Sequence, residues 1–368
     1  MKDKKRSVQR FGLALLSALL ALLCLTSCGK DILSGAKTKK QDVKVIGTIG
    51  SYEVCYDELR YVVMACRQLL DARYGKEAFA DPSTSESYKK ELEAMVNERI
   101  TANYAVFILC DENGLSDIRK DKDAIKYVER KVDSVLYYFA SQNGLDVSLD
   151  AATDEYVYGP GAKKKAMKLY LEDLEKQCLS DRVMRLTLGA EYAFERLQYT
   201  LAQSGQIISS ADDMEAFMKS DKFICTRHVF ISKSSGRSEK ECQQRAEEVL
   251  RRYQNGASMS SLIASKYNED VSMSEAGYYF TYGEMDERYE AAAFALSPGQ
   301  VSDIVETDDG FFLIERMEKS ASYMASHIDS FSTQITYALV NEIVRARQKQ
   351  LALTYNDYGR SLIFTEMK

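Results

Sequence analysis

The block 223–317 constrains the fold of this 368-residue chain more than any other stretch, because strand and helix patterns alternate in it over short distances. The block opens with Phe223–Ile231, whose period-two alternation is typical of a strand and places His228 within it. Three amphipathic helical patterns follow. Two alternating runs then close the block, Val301–Val305 and Phe311–Met317. The order of strand, three helices and two strands predicts a small α+β domain with an antiparallel sheet flanked by helices.

Several separated segments of this block resemble the parvulin type of peptidyl-prolyl isomerase domain. They are Arg227-His228-Val229, Gly256 with Ser261–Ala264, Gly283-Glu284-Met285, Ala293–Leu296, Pro298–Ser302 and the predicted hairpin Thr307–Ile314. The resemblance implies a domain over residues 221–319 that binds a proline ring and speeds rotation about the preceding amide bond. It implies no cofactor and no metal ion.

The resemblance also proposes site residues. The candidate catalytic residues are His228 and Asp270, and the candidate substrate-binding residues are Met285, Tyr289, Phe280 and Phe312. Phe312 stands where related domains with a full site carry a second histidine. The sequence therefore leaves two functions open, a peptidyl-prolyl isomerase and a non-catalytic chaperone, or holdase, whose degenerate parvulin domain only binds polypeptide.

From the residues alone, each candidate also has a structural interpretation. His228 is compatible with a structural histidine bonded to a neighbouring strand. Met285 and Tyr289 lie at helical spacing, which is equally typical of core residues. Asp270 follows a helical pattern and is compatible with a helix-terminating residue.

The N-terminus predicts export and lipidation. Basic residues precede the apolar run Phe11–Leu23, which is too short to span a bilayer, and small residues lead to Cys28. Leu25–Cys28 resembles a bacterial lipobox, which implies a signal peptide over 1–27 and a lipid anchor on Cys28 that holds the protein at the outer side of the cell membrane. Ordinary secretion is the alternative. The polar residues 28–42 predict a tether.

The charge balance argues against nucleic acid as a partner. The chain carries a net charge of −6, and the predicted signal segment contributes positive charge, so the mature protein would be more acidic still. Binding of nucleic acid depends on Lys and Arg neutralising phosphates. No glycine-rich phosphate loop occurs either.

Residues 43–220 predict a mainly helical domain that opens with a small hairpin. Apolar periodicity indicates helices over 87–112, 116–143, 163–178 and 181–202, and strand signals are almost absent between 55 and 205. Residues 320–368 predict a long helix that packs back on this domain, leaving the parvulin-like block as an insert. The arrangement is similar to PrsA-like foldases and SurA-like chaperones, which implies unfolded exported proteins with X–Pro bonds as partners.

Six cysteines follow Cys28, and their spacing leaves two interpretations. They are Cys55, Cys66, Cys110, Cys178, Cys225 and Cys242. Disulfides in one of fifteen pairings are one interpretation, and small buried apolar residues the other, favoured because two of them lie on apolar stripes. No spacing typical of a metal site occurs. A solute-binding lipoprotein is a further class, but it needs two α/β lobes that residues 55–205 do not supply.

Overall fold

The computed structural model describes residues 31–35, 42–234 and 236–362. The chain divides into two compact units, one formed by Met1–Glu195 with Gln348–Lys368 and the other by Arg196–Arg347. The predicted signal peptide, Cys28 and most of the predicted tether lie outside the described residues. Within the described ranges, no helix combines the length and the apolar character needed to cross a membrane.

Helices make up most of the described secondary structure. In chain order they are α1 (Tyr56–Tyr74), α2 (Ser85–Glu112), α3 (Lys122–Gln142), α4 (Ala162–Lys176), α5 (Asp181–Gln203), α6 (Ala211–Lys219), α7 (Glu239–Gln254), α8 (Met259–Ile263), α9 (Glu287–Ala295), α10 (Ala321–Ser326), α11 (Ile328–Gln348) and α12 (Asp357–Leu362). A 3-10 turn at Ile118–Lys120 precedes α3.

The strands form three antiparallel sheets. They are β1 (Val45–Ile49), β2 (Tyr52–Cys55), β3 (Val147–Asp150), β4 (Glu155–Tyr158), β5 (Phe223–Ser232), β6 (Tyr278–Thr281), β7 (Val301–Glu306), β8 (Gly310–Met317) and β9 (Thr354–Tyr355). The sheet orders are β2-β1-β9, β3-β4 and β6-β5-β8-β7. Helices with small antiparallel sheets confirm the predicted α+β class.

The first unit is organised by amphipathic helices and one buried ionic group. Helix α3 buries one face at four-residue spacing, from Ala124 to Ala140. The Arg182 guanidinium donates to both Asp57 and Glu58, and all three side chains are buried. Because a charge removed from water needs a compensating partner, this group fixes how α5 meets the start of α1.

Most predicted helices of the first unit agree with the structure to within a few residues, but two features differ. The hairpin of β3 and β4 was missed because its residues are mostly exposed and its alternation is short. Ile32 lies in the segment predicted as a tether, yet it is 1% exposed and its backbone N–H donates to the Arg119 carbonyl. Within the described part of that segment, Ile32 is therefore a core residue and not part of a solvated tether.

The second unit is built on the sheet β6-β5-β8-β7, and β5 is its central strand. Val229 and Ile231 face a core shared with α7 and α8. Ile224, on the opposite face of β5, packs in a core with Phe280 of β6 and Tyr289 of α9. The period-two prediction for β5 is therefore confirmed, and it places His228 on the α9 face.

The predicted packing of the C-terminal helix on the N-terminal helices differs from the structure. Phe331 and Ile335 of α11 lie in a core with Phe223, Cys225 and Tyr279 of the second unit. The chain returns to the first unit only at Gln348, the last residue of α11, and beyond it Leu353 donates its N–H to Asn97 and β9 pairs with β1. The apolar period showed that the helix buries a face, but periodicity carries no information about which partner covers it.

Candidate active site

His228 lies near the middle of β5 and is held at both ring nitrogens. Its partner across the sheet is Ile314 of β8. Its Nδ1 is 2.9 Å from the Tyr289 hydroxyl, and its Nε2 is 3.1 Å from Asp270 Oδ2. Because His228 is only 6% exposed and the contact with Tyr289 is buried, that contact is shielded from water. The imidazole therefore has a fixed orientation.

Asp270 reaches His228 because the segment before it is bonded to the free edge of β5. The Phe230 N–H donates to the Asn268 side chain, and the Glu269 N–H donates to the Phe230 carbonyl. The Asn268 amide also donates to the Asp270 carbonyl. These bonds continue the antiparallel pattern beyond β6 and bring the carboxylate beside the histidine ring.

Two hydroxyl groups complete the surroundings of the Asp270 carboxylate. Ser272 donates its N–H and its hydroxyl to Oδ1, and the Tyr278 hydroxyl donates to Oδ2 at 2.9 Å. Tyr278 follows Gly277, whose φ of +74° is the left-handed conformation that glycine tolerates. A Cβ on Gly277 would lie 2.7 Å from the Thr226 carbonyl, so this close approach of β6 to β5 requires glycine.

At neutral pH the His228 ring is neutral and the Asp270 carboxylate is ionised. Burial lowers the pKa of His228 to about 4, although the neighbouring Asp270 opposes that shift. Burial raises the pKa of the Asp270 carboxyl, but the hydrogen bonds from Ser272 and Tyr278 outweigh it, so that its pKa lies below the ordinary value. The contact is therefore a hydrogen bond between a neutral imidazole and a carboxylate.

A cavity of about 740 Å³ opens beside this pair. Its lining residues are His228, Phe230, Ser232, Lys233, Ser234, Glu269, Asp270, Val271, Asp308, Asp309 and Phe312. The volume lies in the range of sites for small ligands and is sufficient for a proline ring with its flanking peptide groups. Phe312 stacks on Phe230 at 4.6 Å between ring centroids, which gives the cavity an apolar wall.

The structure divides the predicted site residues into two groups. His228, Asp270 and Phe312 line the cavity. Phe280 and Tyr289 are buried in the core beneath α9, and Met285 packs against that core from the loop before the helix. Phe280 is 0% exposed, so its ring packs within the protein and presents no surface to a ligand in this conformation.

Sequence reasoning missed three residues of the site. Thr226 Oγ1 lies 2.9 Å from the Tyr289 hydroxyl, Tyr278 donates to Asp270, and Phe230 contributes to the cavity wall. Thr226 and Phe230 share a face of β5 with His228, so the alternation contained the signal for both. Tyr278 had no such signal, because its place depends on the register of β6 against β5.

The cysteines of the described residues carry no disulfide. All six predicted positions are thiols, and four of them, Cys66, Cys110, Cys225 and Cys242, are buried. Burial raises the pKa of the Cys225 thiol to about 11, so it stays protonated. Among the described residues, no group of three His, Cys, Asp or Glu side chains is arranged to hold a metal ion.

Comparison with known proteins agrees with this geometry. Residues 213–320 match the family model of the PPIC-type PPIase domain. Foldase protein PrsA of Bacillus subtilis (strain 168) is 29% identical over 143 residues, which are 37% of this chain and 46% of that protein. Chaperone SurA of Bordetella avium (strain 197N) is 32% identical over 95 residues, which are 25% of this chain and 19% of that protein.

Among solved structures, a crystal structure of the peptidylprolyl isomerase PrsA from Bacillus anthracis covers 68% of this chain and 96% of its own. The identity is 18% and the TM-score is 0.30. The segment that holds the cavity beside His228 is therefore similar to a PPIC-type PPIase domain, as the family model indicates. The chain that carries this segment is similar to the foldase PrsA and the chaperone SurA, although it spans less than half the length of the two curated relatives above.

Proposed function

We propose that this protein is a foldase that assists the folding of exported proteins and catalyses cis–trans isomerisation of X–Pro bonds at the cavity beside His228. The observation that carries the proposal is the neutral histidine paired with an ionised carboxylate on the wall of a cavity of about 740 Å³, inside a PPIC-type domain. Isomerisation needs no covalent intermediate and no cofactor. The barrier of ~18–20 kcal/mol arises from loss of amide resonance on twisting.

The arrangement favours a twisted amide over a planar one. A planar amide carries negative charge on oxygen through resonance, and an anionic carboxylate close to that oxygen disfavours this charge separation. Asp270 supplies the charge, and its low pKa keeps it ionised. Phe312 and Phe230 provide the apolar surface for the proline ring. Groups that stabilise the transition state more than the ground state raise the rate.

An isomerase assay on a proline-containing tetrapeptide tests the proposal. We expect the wild-type chain to accelerate isomerisation and His228→Ala to lower kcat/KM by about ten- to a hundredfold, since a buried network loses its central group. Asp270→Asn, which keeps the shape and removes the charge, should have a similar effect.

His327→Ala is the matched control, because His327 is exposed and lies outside the cavity lining. Its activity should equal that of the wild type. An inactive wild-type chain, or equal activity in His228→Ala, would contradict catalysis at this site.

A second candidate function is client binding without catalysis by the helical unit. A cavity of about 1100 Å³ lies between α3, the β3–β4 hairpin, α4 and α5. Tyr127, Tyr156 and Tyr192 contribute to it, and Leu149 nearby on the hairpin is 48% exposed. Aromatic and apolar surface beside paired charges suits extended polypeptide. Suppression of client aggregation by a chain that lacks isomerase activity would support this function, and loss of suppression in Tyr156→Ser would locate it.

The proposed localisation is the outer side of the cell membrane, where a lipid anchor on Cys28 would hold the protein. The support is the sequence Leu25–Cys28 after a basic and apolar segment. We expect Cys28→Ala to move the protein from the membrane fraction to the soluble exported fraction. Persistence of membrane association in that variant would contradict the anchor.

A further inference from the structure

Tyr289 is a buried phenol whose hydroxyl has two partners in the site. The residue lies on α9 and is 3% exposed. Its hydroxyl is 2.9 Å from His228 Nδ1 and 2.9 Å from Thr226 Oγ1. A hydroxyl removed from water costs free energy unless it is hydrogen-bonded, and these two contacts satisfy it. The same hydroxyl is thus tied to the candidate catalytic histidine.

The direction of these hydrogen bonds follows from the charge states. An ionised carboxylate can only accept, so the contact with Asp270 requires the proton of the neutral imidazole to be on Nε2. Nδ1 is then an acceptor and takes the proton of the Tyr289 hydroxyl. Thr226 in turn donates to the Tyr289 oxygen. Burial raises the pKa of Tyr289, so the phenol keeps the proton that it donates.

We propose that the Tyr289 hydroxyl is a positioning group that donates to His228 Nδ1 and, together with Asp270 at Nε2, fixes the ring in its orientation toward Asp270. Its importance for catalysis rests on the proposed isomerase function, whereas its positioning of the ring does not. Tyr289 is absent from the cavity lining, so it acts through His228 and not on the bound peptide.

The aromatic residues around His228 explain why this one hydroxyl matters. The Phe312 ring packs edge-on against two rings, with its centroid 5.0 Å from that of the His228 imidazole and 5.2 Å from that of the Tyr289 ring. An apolar ring that can neither donate nor accept a hydrogen bond therefore lies against the imidazole on the β8 side. In the part of the chain that the structure describes, Tyr289 is the hydrogen-bond partner of Nδ1. The donor to this nitrogen therefore comes from α9, since Phe312 of β8 has no hydrogen-bonding group.

Nitrogen-15 spectra of histidine-labelled protein test the tautomer directly. The chain holds only His228 and His327, so the spectrum is simple and His327 is an internal reference. We expect the wild-type protein near pH 7 to show His228 as a neutral ring protonated at Nε2. A wild-type spectrum with the proton on Nδ1, or with both tautomers in exchange, would overturn the proposal without any variant.

Tyr289→Phe removes only the hydroxyl. We expect the Nδ1 signal of His228 to move to that of an acceptor nitrogen without a hydrogen bond and to broaden as the ring gains freedom, and kcat to fall about tenfold, with KM changed little because the cavity lining is intact. Tyr279→Phe is the matched control, since Tyr279 is a buried tyrosine of the same unit whose hydroxyl accepts from the Ser320 N–H. It should leave the His228 spectrum unchanged. A His228 spectrum in Tyr289→Phe identical to that of the wild type would overturn the proposal.

A compensating variant provides the last arm of the test. In Tyr289→Phe/Phe312→His the new imidazole stands next to His228, and we expect it to restore part of the lost kcat and the hydrogen-bonded Nδ1 signal. Phe312→His alone should add little, because Nδ1 already has its donor. If the wild-type chain has no isomerase activity, the proposed function fails, and the spectra still decide whether Tyr289 positions His228.

Discussion

At the scale of single residues, the buried neutral imidazole of His228 makes the second unit sensitive to acid. In the unfolded chain a histidine takes up its proton as the pH falls through 6.5, but in the fold His228 does so only near 4. The unfolded state therefore binds more protons between these values, and the free energy of unfolding decreases as the pH is lowered through that window. A pKa shift of this size corresponds to a loss of about 3 kcal/mol in the free energy of unfolding.

Hydrogen exchange of the β5 backbone amides measures this effect. After correction for the intrinsic exchange rate, we expect protection in the wild type to fall between pH 6.5 and pH 4. In His228→Gln that part of the slope should disappear, because glutamine does not titrate. His327→Gln should keep the wild-type slope. Parallel curves for wild type and His228→Gln would show that burial does not shift this histidine.

The sequence predicted those site residues that belong to a recognisable motif, but not which of them line the cavity. His228 and Asp270 were named as a pair and lie 3.1 Å apart, although their catalytic roles stay a prediction. Tyr289 and Phe280 were expected to contact the substrate, yet the structure places both in the core. A pattern of apolar residues does not distinguish a cavity wall from the layer behind it, because both exclude water.

At the scale of elements, the loop before α9 depends on one buried carboxylate. Glu290 Oε1 accepts from the backbone N–H groups of Glu284 and Met285, at 2.8 and 2.9 Å. These two bonds hold the loop that carries Met285 against the core of Ile314 and Phe280. A helical carboxylate thus sets the position of a side chain that precedes the helix.

We expect Glu290→Ala to loosen this loop, because two backbone donors lose their acceptor, which costs about 1–3 kcal/mol. Exchange of the Glu284 and Met285 amides should accelerate. Glu287→Ala is the control, since Glu287 is exposed on the same helix. Unchanged amide exchange in Glu290→Ala would refute the holding role of Glu290.

Element boundaries in the sequence were set by local chemistry, which is why they were predictable. Ser238 and Glu241 form a capping box at the start of α7, and the pattern of a serine followed three residues later by a glutamate is visible in the sequence itself. The turn at Thr307–Gly310 joins β7 and β8 as expected, with the Thr307 N–H donating to the Gly310 carbonyl. The β3–β4 hairpin lacked such signals. Its short strands gain stability from contacts such as the Tyr137–Tyr156 stack at 4.6 Å, which are distant in sequence.

At the scale of the whole molecule, each unit has its own core, and the second one extends past the matched family segment. That segment ends at residue 320. The core of the second unit nevertheless includes Phe331 and Ile335 of α11, and the Gln334 amide donates to the Tyr279 carbonyl at 2.8 Å. The family match thus indicated the domain but not its full core, because α11 contributes side chains from outside the motif.

Phe331→Ala tests whether α11 is part of that core. The Phe331 ring lies 5.2 Å from that of Phe223 at the start of β5 and 5.1 Å from that of Tyr279. Truncating a buried phenylalanine costs about 3–5 kcal/mol, since the lost contacts leave a cavity. We expect the exchange protection of the β5 and β6 amides to fall by that amount. Tyr337→Ala, on the same helix but 54% exposed, should change it little. Full protection of β5 in Phe331→Ala would mean that the sheet is stable without α11, and the core would then end with the family segment.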